Sequence, residues 1–162
     1  MGGNGSYDKG YGGVPPEKRT HDEVAGHTIL GHKILVPSGS PTRASAPMNC
    51  NTPNQVYVIA SAADKRSGDK ASELSVSSVA FYEGNHISYS VDVKYTNGKV
   101  SAFKVNTGEN TTHAHEWQEI KPGIWGRKSH DKNNHLAPDS RWNSNMVKAI
   151  ESFNSKRITW NK

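Results

Sequence analysis

The chain has 162 residues, of which 33% are hydrophobic, with 15 glycines, 8 prolines and a formal net charge of +5. This length suits one domain, and the single cysteine, Cys50, excludes an intramolecular disulfide, which fits a reducing cytoplasm. No apolar run approaches the roughly 18 residues of a membrane-spanning helix. The N-terminus also lacks the pattern of a secretory signal, so we expect a cytoplasmic protein with no membrane partner.

The positive charge is concentrated at the C-terminal end. Residues 121–162 carry six lysines and three arginines against three acidic residues, a net +6, whereas residues 1–120 sum to −1. A basic end favours a polyanionic partner, and RNA or another nucleic acid is the commonest. A solvated face that only keeps the protein soluble is the other interpretation of this charge.

The first third of the chain predicts one strand between two irregular segments. Residues 1–20 contain six glycines and two adjacent prolines, which predicts a flexible arm before a single domain of residues 21–162. Residues 28–36 are mostly apolar and partly β-branched, so they predict a first strand with Gly31 as a possible β-bulge. Prolines recur through residues 37–54, which indicates a long loop.

Three segments then predict the strands of a sheet. Residues 56–60 are apolar throughout, as in a central strand that is covered on both faces. Residues 74–82 alternate but break phase at Ser77-Ser78, as a strand with a bulge would. Residues 86–95 alternate without a break, which predicts a half-buried antiparallel strand with Ile87, Tyr89, Val91, Val93 and Tyr95 on one face.

Two hairpins follow. Asn97-Gly98 has the residues of a type I′ turn and should place Val100 opposite Tyr95. Residues 112–120 alternate again, and Pro122-Gly123 should return the chain as a second hairpin.

A C-terminal helix is predicted after Asp139, whose carboxylate can cap the first turn. Its apolar stripe comprises Trp142, Met146, Ile150 and Phe153. With about six strands before it, the helix should pack on a mainly antiparallel sheet, so the predicted fold class is α+β.

Residues 112–135 hold four of the eight histidines and predict the functional site. Side chains two residues apart share a strand face, so His113, His115 and Trp117 should project together, and the hairpin should bring Arg127 beside them. Cleavage of RNA without a metal needs a base, an acid and cations that stabilise the charged phosphorane. The predicted catalytic residues are His113, His115 and His130. The predicted substrate-binding residues are Trp117, Arg127, Lys128 and Lys132, with no metal or cofactor assigned.

The same residues allow two other interpretations. His113 and His115 can ligate a metal ion, with His130, His135 or Asp131 completing the site, although the spacing follows no metal-finger pattern. Alternatively, they are partly exposed strand histidines, and Trp117 completes the edge of the core.

The chain resembles small C-terminal toxin-type domains of bacterial polymorphic toxins, which also occur in phage proteins and as stand-alone prophage products. The resemblance rests on the MGGNGS opening, the PNQVY segment of residues 53–57, the alternating strand of residues 86–95, and the block from H-x-H-x-W to GRKSHDKNNH. It implies a metal-independent ribonuclease of the barnase, EndoU and colicin-nuclease fold group, with its site on the strand of His113 and His115. The late position of the helix departs from that pattern.

A toxin-like, metal-independent endoribonuclease is therefore the first functional expectation. The alternatives are a non-enzymatic phage or mobile-element protein that binds a nucleic-acid-associated host protein, and a metal-dependent nuclease or hydrolase. A host or immunity protein is accordingly a second possible partner besides nucleic acid.

Overall fold

The structure is a computed structural model, and it describes residues 20–38, 46–50, 52–62, 72–107, 110–128 and 135–160. The predicted arm, apart from Thr20, and residues 39–45 of the predicted loop lie outside these residues. The elements in chain order are β1 (His21–Ile29), β2 (His32–Pro37), β3 (Val56–Ser61), β4 (Ser72–Glu73), β5 (Ser75–Glu83), β6 (His86–Asp92), β7 (Tyr95–Thr96), β8 (Lys99–Val100), β9 (His113–Lys121), β10 (Ile124–Arg127), α1 (Ser144–Ser155) and β11 (Thr159–Trp160).

Seven strands form one sheet in the order β1-β2-β3-β5-β6-β9-β10. Neighbours are antiparallel except β2 and β3, which run parallel. The short strands form two separate pairs, β4 with β11 and β7 with β8. α1 packs on the large sheet, which confirms the α+β class with a mainly antiparallel sheet and a C-terminal helix.

Successive residues of a strand point to opposite sides of the sheet. Because the central strands carry apolar residues in succession, apolar side chains cover both faces. On one face, Val58, Val79 and Ala114 pack in the cluster that includes the buried side of α1. On the other face, a smaller cluster around Ile59 and Tyr82 is flanked by two tryptophans, Trp117 and Trp125. Since Ala114 faces the helix, its neighbours His113 and His115 point to the opposite face.

The prediction of one strand over residues 28–36 is wrong. The chain instead turns at Leu30 and Gly31, whose φ angles of 50° and 80° are both positive, and Ile29 pairs with His32 in a hairpin of β1 and β2. Two positive φ angles in succession are typical of the type I′ turn, which glycine tolerates and leucine rarely adopts. Because leucine is not a typical turn residue, the sequence did not predict a turn at this position.

The phase break in β5 is confirmed as a bulge. Ile59 pairs with Ser78 and Ala60 with Val76, so Ser77 is the extra residue, and its hydroxyl donates to the carbonyl oxygen of Ile59 at 3.1 Å. Val76 and Val79 consequently lie on the same face of the sheet.

A second bulge in β6 contradicts the predicted single face of residues 86–95. Phe81 pairs with Tyr89 and Tyr82 with Ile87, so Ser88 is unpaired and the strand changes phase there. Ile87 therefore packs in the cluster away from α1, whereas Tyr89 packs in the helix-side cluster. The strand is also buried more fully than predicted, since Ser90 is only 3% exposed.

Both predicted hairpins are present. Asn97 and Gly98 have φ angles of 53° and 80°, and Tyr95 pairs with Val100 as expected. In the second hairpin, Gly123 occupies a positive φ of 77°, and Arg127 pairs with Trp117. The return of Arg127 beside the histidine strand is thereby confirmed.

Asn143, rather than Asp139, caps α1. The Asn143 side chain accepts a hydrogen bond from the Met146 amide at 3.1 Å, while Asp139 binds Arg141. Met146, Ile150 and Phe153 are buried on the sheet as the stripe predicted, with Trp142 half-buried just before the helix. In the part of the chain that the structure describes, no helix is long and apolar enough to cross a membrane.

Candidate functional site

Three histidines converge on the face of the sheet that points away from α1. His113 and His115 lie on β9, where they pair with Asp92 and Ser90 of β6. His135 arrives from the next part of the chain, because Leu136 forms an antiparallel bridge with Ala114 on the other edge of β9. His113 and His115 are only 1% and 6% exposed, and His135 is half-buried.

The three imidazole rings are close and roughly perpendicular to one another. The ring centroids lie 4.9 Å apart for His113 and His115, 4.3 Å for His113 and His135, and 5.1 Å for His115 and His135. One ring nitrogen of each histidine falls in a set whose members all lie within 4.8 Å of one another. This convergence is a property of the fold, since two of the rings project from β9 and the bridge between Leu136 and Ala114 brings the third to that strand.

Asp92 supplies an acidic side chain to the cluster. Its Oδ2 lies 3.3 Å from His113 Nε2, 3.2 Å from His115 Nε2 and 3.5 Å from Arg127 Nη2. Burial acts to raise the pKa of Asp92, but the contacts with His113 and His115 and the charge of Arg127 outweigh it and hold that pKa far below its ordinary value. Asp92 is therefore a carboxylate at any physiological pH.

His113 presents a lone pair to this carboxylate when its ring is neutral. His113 Nδ1 lies 2.7 Å from the carbonyl oxygen of Thr111 and must donate to it, since a carbonyl only accepts. The lone pair of the neutral ring is then on Nε2, the atom nearest to Asp92 Oδ2. A lone pair that faces a carboxylate oxygen at 3.3 Å is repulsive unless a proton or a metal ion lies between them.

The Nε2 atoms of both strand histidines lack hydrogen-bond partners among the described residues, although both atoms are buried. The nearest acidic atom to both is Asp92 Oδ2, at 3.3 and 3.2 Å. Burial lowers the pKa of His115, and the attraction of Asp92 opposes this effect only in part. The neutral form of an imidazole is the form that binds metal ions.

The spacing of the three histidines, with Asp92 beside two of them, approaches that of the ligands of a four-coordinate metal ion. Imidazole nitrogens and carboxylate oxygens bind Zn²⁺ at about 2.0–2.2 Å, so ligand atoms at the corners of such a tetrahedron lie about 3.3–3.5 Å apart. The two Nε2 to Oδ2 distances are 3.3 and 3.2 Å. The nitrogens of the three histidines span 4.8 Å at most. A side-chain adjustment of roughly 1 Å would bring all three to that spacing.

The predicted substrate-binding residues have different surroundings. Arg127 is 30% exposed beside Asp92, with its guanidinium 5.9 Å from the centre of the Trp117 ring. Trp117 is half-buried and donates through Nε1 to the Ser90 hydroxyl at 2.9 Å, which confirms that it shares the face of the histidines. Lys128 is 61% exposed, with Nζ 4.0 Å from Glu116 Oε1.

His130 and Lys132, predicted as a catalytic and a substrate-binding residue, lie outside the described residues, as does Asp131. Asp92 was missed as a member of the site, although it lies on the polar side of an alternating strand, which is the signal that was available. His135 was foreseen only as one of several possible third metal ligands. Both residues reach the cluster through pairing that is distant in sequence.

No family model matches the chain, and neither curated proteins nor solved structures gave a match. The function is therefore argued from the geometry of the histidine cluster, defined as His113, His115 and His135 with Asp92.

Proposed function

We propose that the protein is a metal-dependent nuclease whose ion is held by the histidine cluster. The observation that carries this proposal is the pair of buried Nε2 atoms, without hydrogen-bond partners among the described residues, that face one carboxylate oxygen. Burying polar atoms without partners costs free energy, and a fold that retains two of them in one place indicates a ligand. A third imidazole within reach makes a metal ion the ligand that fits best.

Three histidines and one carboxylate are a donor set suited to Zn²⁺ and to related first-row ions. Such an ion would supply a Lewis acid and lower the pKa of water at the site. Asp92 and Arg127 are the partly accessible members, with side chains 19% and 30% exposed, while His113 and His115 are buried. A substrate would therefore approach from the side of Asp92 and Arg127.

A phosphodiester is the substrate that the surroundings favour. Arg127 is a fixed cation at the mouth of the cluster, and a guanidinium matches the oxygens of a phosphate group. The charge of +6 over residues 121–162 attracts a polyanion to the same end of the chain. RNA is the substrate implied by the resemblance to toxin-type ribonucleases, and the proposal retains it.

A metal-independent ribonuclease is the second candidate. Asp92, two histidines and Arg127 in mutual contact are also the parts of an acid–base site with a phosphate-binding cation. Against this mechanism, a general acid or base must come within hydrogen-bond distance of its substrate, and His113 and His115 are buried. The metal mechanism requires no direct contact between these two rings and the substrate.

The decisive experiment is cleavage of total RNA and of DNA by the full chain, in EDTA and after restoring Zn²⁺, Mn²⁺ or Co²⁺. Asp92→Asn and His135→Ala test the cluster, and His32→Ala, on β2 across the sheet, is the matched control. Cleavage that requires the ion and is lost in both cluster variants supports the proposal. Cleavage that survives EDTA supports the acid–base mechanism. Salt-sensitive binding without cleavage in any condition overturns both and supports a non-enzymatic binder.

A further inference from the structure

A cleft lies beside the histidine cluster where β6 and β9 separate. The two strands pair only between Tyr89–Asp92 and His113–Glu116, and beyond Glu116 the ladder of β9 continues with β10 alone. The pairing of β6 with β9 ends at Tyr89, next to the bulged residue Ser88. The gap is a cleft of about 400 Å³ whose lining includes His86, Tyr89, Trp117, Trp125, Lys128 and Arg141.

Two indoles form rigid walls of this cleft. Trp125 stacks on His86 with ring centroids 3.7 Å apart and planes 3° from parallel, and its backbone amide donates to the sulfur of Met48 at 3.0 Å. Trp117 is held by the hydrogen bond from its Nε1 to Ser90. Both tryptophans are half-buried, so each keeps part of its surface accessible. Fixed aromatic surfaces of this kind bind flat rings at little cost in side-chain entropy.

A fixed cation lies at the edge of the cleft. The Arg141 guanidinium lies 3.7 Å from the centre of the Tyr89 ring, and its Nη2 donates to Asp139 Oδ2 at 2.7 Å. The Tyr89 hydroxyl in turn accepts from the Asp139 amide at 2.9 Å, which ties the three residues together. Arg141 is nevertheless 44% exposed, so it presents charge toward solvent. Lys128, 61% exposed, adds a second cation.

The acidic residues of the lining decide which part of a nucleotide enters. Glu83 and Glu116 both line the cleft, and they repel a phosphate group while accepting hydrogen bonds from the amino groups of a base. The exposed Lys128 and Arg141 suit phosphates that remain outside. The base of a duplex is stacked and paired, so only an unpaired base can enter a gap between two strands.

We propose that this cleft is the base-binding subsite for a single-stranded RNA substrate of the histidine cluster. The inference rests on the proposed function, because it places the base of the substrate next to the histidine cluster. Trp117 is the residue that connects the cleft with the histidine cluster. Trp117 lines the cleft and lies under Arg127, and it follows His115 by two residues, about 6.6 Å along the strand. A base stacked in the cleft thus leaves its phosphate beside Arg127 and the metal ligands.

Binding is tested apart from cleavage, with EDTA-treated full chain and a fluorescein-labelled single-stranded 12-mer RNA followed by anisotropy, the probe being checked for integrity. We expect Trp125→Ala to weaken binding by about tenfold or more, as the loss of one stacked base does, and Trp125→Phe to retain most of the affinity. Arg141→Gln, at an exposed position, should weaken binding several-fold even if Trp125→Ala does not fold. Lys148→Ala, the loss of one exposed charge on α1, is the matched control.

Equal affinities for the wild type, Trp125→Ala and Arg141→Gln overturn the subsite, as does a duplex that binds as tightly as the single strand. The two proposals fail separately. If the variants lose affinity but the wild type with added metal cleaves nothing, the subsite stands and the nuclease function fails. If the wild type cleaves with metal and the cleft variants bind and cleave normally, the nuclease function stands and the subsite fails.

Discussion

Removing His135 tests the proposed metal centre with the least disturbance of packing, because this histidine is half-buried whereas His113 and His115 are buried. An ion at one hundred times its dissociation constant stabilises the folded protein by about 2.7 kcal/mol. For a chain of this length, each kcal/mol raises Tm by roughly 2–4 °C, so Zn²⁺ added to stripped protein should raise Tm by roughly 5–11 °C.

The His135→Ala variant should lose nearly all of that gain. Changes to residues that merely orient metal ligands cost up to about 100-fold in affinity, and losing a ligand costs at least as much. At the same Zn²⁺ concentration, the stabilisation then falls to about 0.4 kcal/mol, or roughly 1 °C.

Thermal unfolding followed by circular dichroism, with and without Zn²⁺, measures these shifts, and His32→Ala serves as the control because β3, β5 and β6 separate its strand from β9. The control should keep the full shift. A His135→Ala protein that keeps it too refutes the assigned ligand, and a wild type unaffected by Zn²⁺, Co²⁺, Ni²⁺ and Mn²⁺ refutes the metal centre.

Further substitutions test the role of Arg127, the hydrogen bonds of Tyr95 and the cap of α1. Arg127→Ala should slow RNA cleavage by about 10²–10³-fold while leaving the Zn²⁺ shift in Tm intact, because the guanidinium acts on the substrate; loss of the shift would mean that it only holds Asp92. Tyr95→Phe should lower the free energy of unfolding by about 1 kcal/mol, because Tyr95 donates to Val76 and accepts from Asn154. Burial raises the pKa of Tyr95 to about 12. The folded state thus favours the protonated hydroxyl, so the stability difference between wild type and Tyr95→Phe should be complete below pH 10 and should shrink toward pH 12 in urea unfolding; a constant difference would contradict this. Asn143→Ala should cost about 1 kcal/mol of stability and Asp139→Ala much less, and equal costs would contradict the assigned cap.

Local rules were sufficient for much of the fold. The Asn97-Gly98 turn, the bulge at Ser77 and the buried stripe of α1 were all predicted correctly, because each depends on residues within a few positions of one another. The same applies to the shared face of His113 and His115, which follows from the two-residue period of a strand. These features require no knowledge of the partner strand.

Other features depend on contacts between distant parts of the chain. The turn at Leu30 uses a backbone conformation that leucine rarely adopts, and the hairpin of β1 and β2 maintains it. The bulge at Ser88 exists only relative to the register of β5, so an unbroken alternation in the sequence concealed it. The cleft beside Trp117 is lined in part by this bulge and was not predicted.

The sequence by itself determined the class of fold and the strand that carries two of the histidines. It could not determine that those histidines are buried, that Asp92 lies against them, or that His135 is the third member of the cluster. The burial of the histidines and the closeness of Asp92 and His135 depend on which strands are neighbours and on their register. Both are properties of the assembled sheet. Only the tertiary structure therefore showed that the two predicted histidines are buried and that Asp92 and His135 lie beside them.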